Sequence, residues 1–186
     1  MQAAGGAAIT GSQPSTGRRY WLIALVVGVV GLGLDQAAKA LAIANLDPAH
    51  PVPLLGGLVT LQLTRNSGAA FSMGEGFTVV FTVVAIAALV AVVVWALPRL
   101  RHLGWAVTAG LLLAGISGNL TDRLLREPGP FQGHVVDFIQ LPYFAIFNVA
   151  DICITAAAVL VVWLSMIAKV NLDGTRATDR AEAADG

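Results

Sequence analysis

Four stretches of nearly unbroken apolar sequence, about Tyr20 to Leu46, Phe77 to Leu97, Leu103 to Leu125 and Tyr143 to Ala168, organise the chain. Each reaches the roughly 20 residues that a helix needs to cross a hydrocarbon core of about 30 Å. The pattern therefore predicts four transmembrane helices within one domain, residues 18–170. The first run competes with a signal peptide. Its length, Arg18 and Arg19 ahead of it and the lack of a clear cleavage site after it favour a retained helix. Residues 1–17 are small and polar, and residues 171–186 alternate charge with Ala and Gly, so both tails are expected to be disordered.

The two longer connections differ. In 47–76, Leu58, Thr60 and Gln62 alternate with Val59, Leu61 and Leu63, a strand signal, and Asn66, Ser67 and Gly68 then turn the chain. Residues 126–142 mix Pro and Gly with apolar residues and are expected to lie in the membrane interface. The predicted fold is an all-α membrane protein, a four-helix transmembrane bundle with a small extracytoplasmic β platform.

Composition agrees: hydrophobic residues make up 56% and charged residues 12% of 186, and the mean hydropathy is +0.76. Eleven basic and 11 acidic residues cancel, so no net field draws nucleic acid. Placement is more informative, because Lys and Arg accumulate in short cytoplasmic segments. Arg18, Arg19, Arg99, Arg101, Lys169, Arg176 and Arg180 mark one side. Both termini are thus expected in the cytoplasm, with loops 47–76 and 126–142 outside. Trp21, Trp105 and Tyr143 stand near helix ends as interfacial anchors. Cys153 is the only cysteine, which excludes an internal disulfide and reads as a small apolar residue in a helix.

Ionisable residues inside such helices are costly and therefore functional candidates. At the helical rise, Asp35 and Asn119 lie about 21 and 22 Å from the inner face, and Asp151 about 12 Å below the outer end. All three fall in one layer of the outer half of the membrane. Asp35 and Lys39, Asn119 with Asp122 and Arg123, and Asn148 with Asp151 each form a polar stripe at i, i+3 or i+4. Any one stripe could be an interhelical ion pair or hydrogen bond. Three at one depth, with Asn66 and Asp137 from the loops, point to a site.

The sequence has no G-x-S-x-G elbow and no H-E-x-x-H helix, and His50, His102 and His134 stand apart, so neither serine nor zinc chemistry is indicated and no metal or cofactor is expected. Two carboxylates in a partly desolvated site can share a proton, one activating water and the other protonating a carbonyl. Asp137 and Asp151 are the best pair. Asp35 and Asp122 have cationic neighbours, Lys39 and Arg123, and suit structural support. A small transporter would call for paired helix discontinuities and repeat symmetry, which are not evident. A non-catalytic assembly protein would use the polar residues as interhelical glue.

The strings DQAAK (35–39), NSGAAF (66–71), GISGNLTDR (115–123), VVDF (135–138) and FNVAD (147–151) resemble, in order, those of bacterial lipoprotein signal peptidase, or signal peptidase II. Ala38 replaces the usual Thr or Ser, and Ala114 a frequent Gly. The resemblance implies an aspartic endopeptidase of the bacterial cytoplasmic (inner) membrane. It would cut prolipoprotein signal peptides before a diacylglyceryl-modified cysteine, with its site near the outer face. It makes Asp137 and Asp151 the catalytic dyad, Asn66, Asn119, Arg123 and Asn148 site-shaping residues, and Asp35, Lys39 and Asp122 support. For the reaction so implied, Gly68, with Ala69 and Ala70, would let loop backbone approach the substrate closely, and Arg123 could donate to a peptide carbonyl. The implied partners are lipid-modified prolipoproteins, membrane lipid and globomycin-type inhibitors, and the protein is expected to act as a monomer.

Overall fold

The structure, a computed structural model, describes residues 16–68 and 77–176. Four helices dominate it: α1 Thr16–Asn45, α2 Thr78–Ala91, α3 Leu103–Leu125 and α4 Val149–Val162. α2 continues through a π turn, Val92–Ala96, and a 3-10 turn to Arg99, and α4 continues through a π turn to Ile167. With these extensions all four are long and apolar enough to cross a membrane. Val26, Val29, Val30, Leu34, Val83 and Val159 are among many exposed apolar side chains, the surface that a bilayer would cover.

α3 is the central helix, packed against α1, α2 and α4. Small residues permit this, as lipid-embedded helices gain by close van der Waals approach. A Cβ on Gly110 would lie 2.6 Å from Val27 Cβ on α1, and one on Gly115 would lie 2.6 Å from the Ala150 carbonyl oxygen on α4. Ala114 is fully buried, and a Cβ on Gly31 would stand 2.6 Å from its methyl, so the α1–α3 contact is shaped around that alanine.

Three antiparallel strands, β1 Val52–Leu54, β2 Val59–Asn66 and β3 Val135–Gln140, form a sheet in the order β1-β2-β3. It caps the bundle where α1 and α3 end and α2 and α4 begin. Strand alternation directs Val136 and Phe138 onto Ala42 and Leu63, with Ile43 and Leu46 of the α1 end packed around them. Asp137, between them in sequence, takes the other face.

Three readings are refined. Residues 135–140, within the loop expected to lie in the membrane interface, form a strand paired to β2. The fourth helix begins at Val149 and not near Tyr143, because residues up to Phe147 are bridged to β3: Phe147 and Ile139 exchange backbone hydrogen bonds of 2.9 Å in both directions. The tail expected to be disordered from residue 171 is ordered to residue 176. Asn171 N donates to Thr175 O (2.9 Å), Arg101 N to Leu172 O (2.9 Å), and Leu172 packs against the same buried cluster as Trp105. Residue 16 already lies in α1; the rest of the two tails, 1–15 and 177–186, and Ala69 and Ala70 lie outside the described residues.

Candidate active site

Two strand positions and one helix start assemble the polar centre. In the β2–β3 register Thr64 opposes Asp137 and Asn66 opposes Val135, so Asn66 and Asp137 are diagonal neighbours on one face. Asn66 Nδ2 donates to Asp137 Oδ2 (2.9 Å), while its Oδ1 accepts from Gly68 N (2.8 Å). That local turn requires Gly68 at φ 97°, a left-handed conformation, and a Cβ there would lie 2.7 Å from the Phe81 ring.

The Phe147–Ile139 bridge then delivers Asn148 to Asp137. Asn148 is the N-cap of α4: its Oδ1 accepts from Asp151 N (3.1 Å), and Asp151 Oδ2 accepts from Asn148 N (3.2 Å), a reciprocal capping box. The Asn148 amide also donates to Asp137 Oδ1 (2.6 Å) and to Asn119 Oδ1 (3.1 Å). Asn119 Nδ2 in turn donates to Asp151 Oδ1 (2.8 Å). One buried asparagine thus touches both carboxylates and the third helix. Asp151 stands in the first turn of α4, not deep within a helix as the length of the apolar run implied. Asn148 and Asp151 are a helix start rather than a stripe on a continuing helix.

Burial separates the two carboxylates. Asp137 is enclosed, whereas Asp151 is part-exposed. Desolvation pushes the Asp137 carboxyl up to about 6; the Asn66 and Asn148 amides and the more distant Lys39 cation hold it down, and the nearby Asp151 charge raises it. Among the described residues no cation lies within ion-pair distance of either.

Beside them, Lys39 Nζ lies 2.9 Å from Asp35 Oδ2 and 2.8 Å from Asp122 Oδ2, all three side chains fully buried. Lys39 also donates to Asn119 Oδ1 (3.1 Å), which couples this cluster to the first. Asp35 Oδ1 accepts from Ala150 N on α4 (2.8 Å), and Asp122 Oδ2 from Val136 N on β3 (3.1 Å). The expected pairing of Asp122 with Arg123 is not formed: Arg126, one helical turn on, takes Asp122 Oδ1 at 2.6 Å. Arg123 instead lies over the Phe81 ring, 5.7 Å from its centroid, and its Nη1 is buried without a hydrogen-bond partner among the described residues.

Residue-by-residue reading of the sequence missed three members. Gln36 donates to Asp35 Oδ2 (3.0 Å) and to Gly118 O (3.1 Å), Arg126 pairs with Asp122, and Phe81 supports Arg123. The i, i+4 spacing of Asp122 and Arg126 was a usable signal. Nothing local marked Phe81. No group of three or more His, Cys, Asp or Glu among the described residues could hold a metal ion.

Fold and site together define a polytopic helical protein with a polar centre built where a small sheet covers one end of the bundle. The family model described as Signal peptidase (SPase) II matches residues 26–167. The chain is 47% identical over 165 residues to the lipoprotein signal peptidase of Rhodococcus jostii (strain RHA1), covering 88% of this chain and 81% of that one. It is 45% identical to that of Mycobacterium avium (strain 104), covering 84% and 85%. A solved structure described as "Bacterial membrane enzyme structure by the in meso method at 1.9 A resolution" superposes with a TM-score of 0.68 at 27% identity, over 77% of this chain and 92% of that one. The chain belongs to the signal peptidase II family, and is thereby a protease.

Proposed function

We propose that this chain is an aspartic endopeptidase that removes signal peptides from diacylglyceryl-modified prolipoproteins, cleaving before the lipidated cysteine, with Asp137 and Asp151 as its catalytic dyad. One observation carries the reading: Asn148 joins two carboxylates, its side-chain amide donating to Asp137 and its backbone N–H to Asp151, and among the described residues neither carboxylate has a cation at ion-pair distance. Such a pair can hold one proton between them, and burial favours the protonated form of the enclosed member, Asp137.

The chemistry then follows. Asp151, facing the wetter side, takes a proton from a water as that water attacks the scissile carbonyl carbon. Asp137 gives its proton to the carbonyl oxygen, and a tetrahedral diol forms. On collapse the carbon–nitrogen bond breaks, Asp151 passes its proton to the leaving amine, and the diol hydroxyl returns one to Asp137. The unpartnered Arg123 Nη1 supplies a fixed donor for a substrate carbonyl, worth more in a dry site than in water. The left-handed turn at Gly68, close to Phe81, brings backbone near the same place.

The substrate's helix and acyl chains reach such a site by diffusing within the membrane. Basic residues at the opposite end of the bundle support an orientation with both termini in the cytoplasm and the dyad near the outer face of the inner membrane. Cysteines placed at residues 50 and 130 are expected to label from outside, and labelling only from the cytoplasm refutes this topology. The activity test uses purified protein and a diacylglyceryl-modified prolipoprotein peptide. Expected is cleavage before the modified cysteine, blocked by globomycin and unaffected by chelators. Equal cleavage of the unmodified peptide, or loss with chelator and recovery with a metal, overturns the proposal.

A further inference from the structure

The bundle end away from the dyad is built differently. All four tryptophans of the chain lie there: Trp21 at the start of α1, Trp95 and Trp163 in the terminal π turns of α2 and α4, and Trp105 in the first turn of α3. Between the ends of α2 and α4 and the turn after Lys169 lies a cavity of about 850 Å³. Arg99, Lys169, Ser165 and Asn171 give it polar walls. Asp173 also lines it, with Oδ1 engaged by Thr175 N (2.9 Å) and Oγ1 (2.6 Å).

Both cations have capacity to spare. Among the described residues the Lys169 ammonium has no hydrogen-bond or ion-pair partner. Arg99 lies 5.2 Å over the Trp95 ring and donates from Nη1 to Trp95 O (2.6 Å), which leaves further guanidinium donors. An Arg and a Lys at one mouth suit a phosphodiester.

A second cavity of about 400 Å³ shares Trp105 and Leu172 with the first. It runs between α2, α3 and α4 past Val92, Ala109, Leu112 and Val161. Its one hydroxyl, Thr108, is already bonded to Gly104 O (2.8 Å). A pocket with cationic walls that shares Trp105 and Leu172 with an apolar slot between the helices matches one ligand class in both parts. We infer that this end binds a single anionic glycerophospholipid, its phosphate held by Arg99 and Lys169 and an acyl chain lying in the slot. The site is separate from the dyad and does not depend on the chemistry proposed there.

The test is native mass spectrometry and thermal unfolding of the full chain in detergent, with phosphatidylglycerol, phosphatidylcholine or inorganic phosphate added. Expected is one retained phosphatidylglycerol per chain and a raised Tm, with retention of phosphatidylcholine lower by roughly tenfold and little effect of phosphate. The Arg99→Gln/Lys169→Gln variant is expected to lose that preference, and Val161→Trp, which fills the slot, to lower retention of both lipids. Arg18→Gln/Arg19→Gln, which changes basic residues outside the cavity, is expected to keep it. Equal retention of the two lipids, an equal effect from phosphate, or the same loss from the Arg18/Arg19 variant overturns the inference. If the Arg99/Lys169 variant does not stay monodisperse, the lipid preference of the native chain and the Val161→Trp result decide.

Discussion

Two clusters of carboxylates lie side by side in this molecule, joined through Asn119, and they are held in opposite ways. Asp35 and Asp122 share the buried Lys39 at 2.9 and 2.8 Å, and Arg126 completes Asp122. Among the described residues, Asp137 and Asp151 accept hydrogen bonds from asparagine groups, one of them the backbone N–H at a helix start, and have no cation at contact distance. A cation at contact distance favours the charged form of a carboxylate and fixes it as a strut. Neutral amide donors position a carboxylate while leaving it able to exchange a proton. The first cluster ties α1 to α4 through Ala150 N and α3 to β3 through Val136 N. It thereby sets the frame in which the second can work.

The sharpest way to break this contrast is to neutralise each cluster in turn. Asp137→Asn and Asp151→Asn are expected to lower turnover of a lipid-modified peptide by at least about 10²–10⁴-fold, the usual contribution of general acid–base catalysis. Both proteins should still elute as monodisperse species. Lys39→Met leaves two buried carboxylates without their shared cation and is expected to cost about 3–5 kcal/mol of stability, read as a collapse in Tm or yield. Adding Asp35→Asn should recover part of it, and a normal Tm for Lys39→Met would remove the structural role.

Asp122→Asn is a milder version, since Lys39 keeps Asp35, and about 1–3 kcal/mol is expected with measurable turnover retained. A well-folded but inactive Asp122→Asn beside an active Asp151→Asn would mean that the clusters have been assigned the wrong way round. The smallest expected effect is on pH dependence. If Asp137, raised to about 6, is the acid of the proposed reaction, kcat/KM is expected to fall as pH rises through that value. The Asn66 hydrogen bond lowers Asp137, so Asn66→Ala moves the fall to higher pH. A shift to lower pH would contradict the role given to Asp137.

How much could be read in advance varies from residue to residue. Asp35 and Lys39 were legible as a pair because i, i+4 spacing on a helix fixes a distance without any other information. Asp122 was legible as a carboxylate near cations, but its partner was not. Arg123, the next residue, points to Phe81, while Arg126 one turn on reaches back. β3 stayed hidden because VVDFIQ sits among Pro and Gly in a segment too short and apolar to show alternation. Its strand character comes from pairing with β2.

By itself, the chain determined what depends on local composition: four apolar runs, and which polar residues stand within or beside them. Each follows from the cost of placing a side chain in hydrocarbon, a property of that residue and its neighbours in sequence. Only the tertiary structure decided that Asn148 opens α4 while bonding both carboxylates, that Asp137 turns away from the Val136–Phe138 face, and that Lys39 serves Asp35 and Asp122 together. Hydrogen bonds act over about 3 Å between groups far apart in the chain. Their partners are therefore set by strand register and by how closely small residues such as Gly115 and Gly118 let the helices approach.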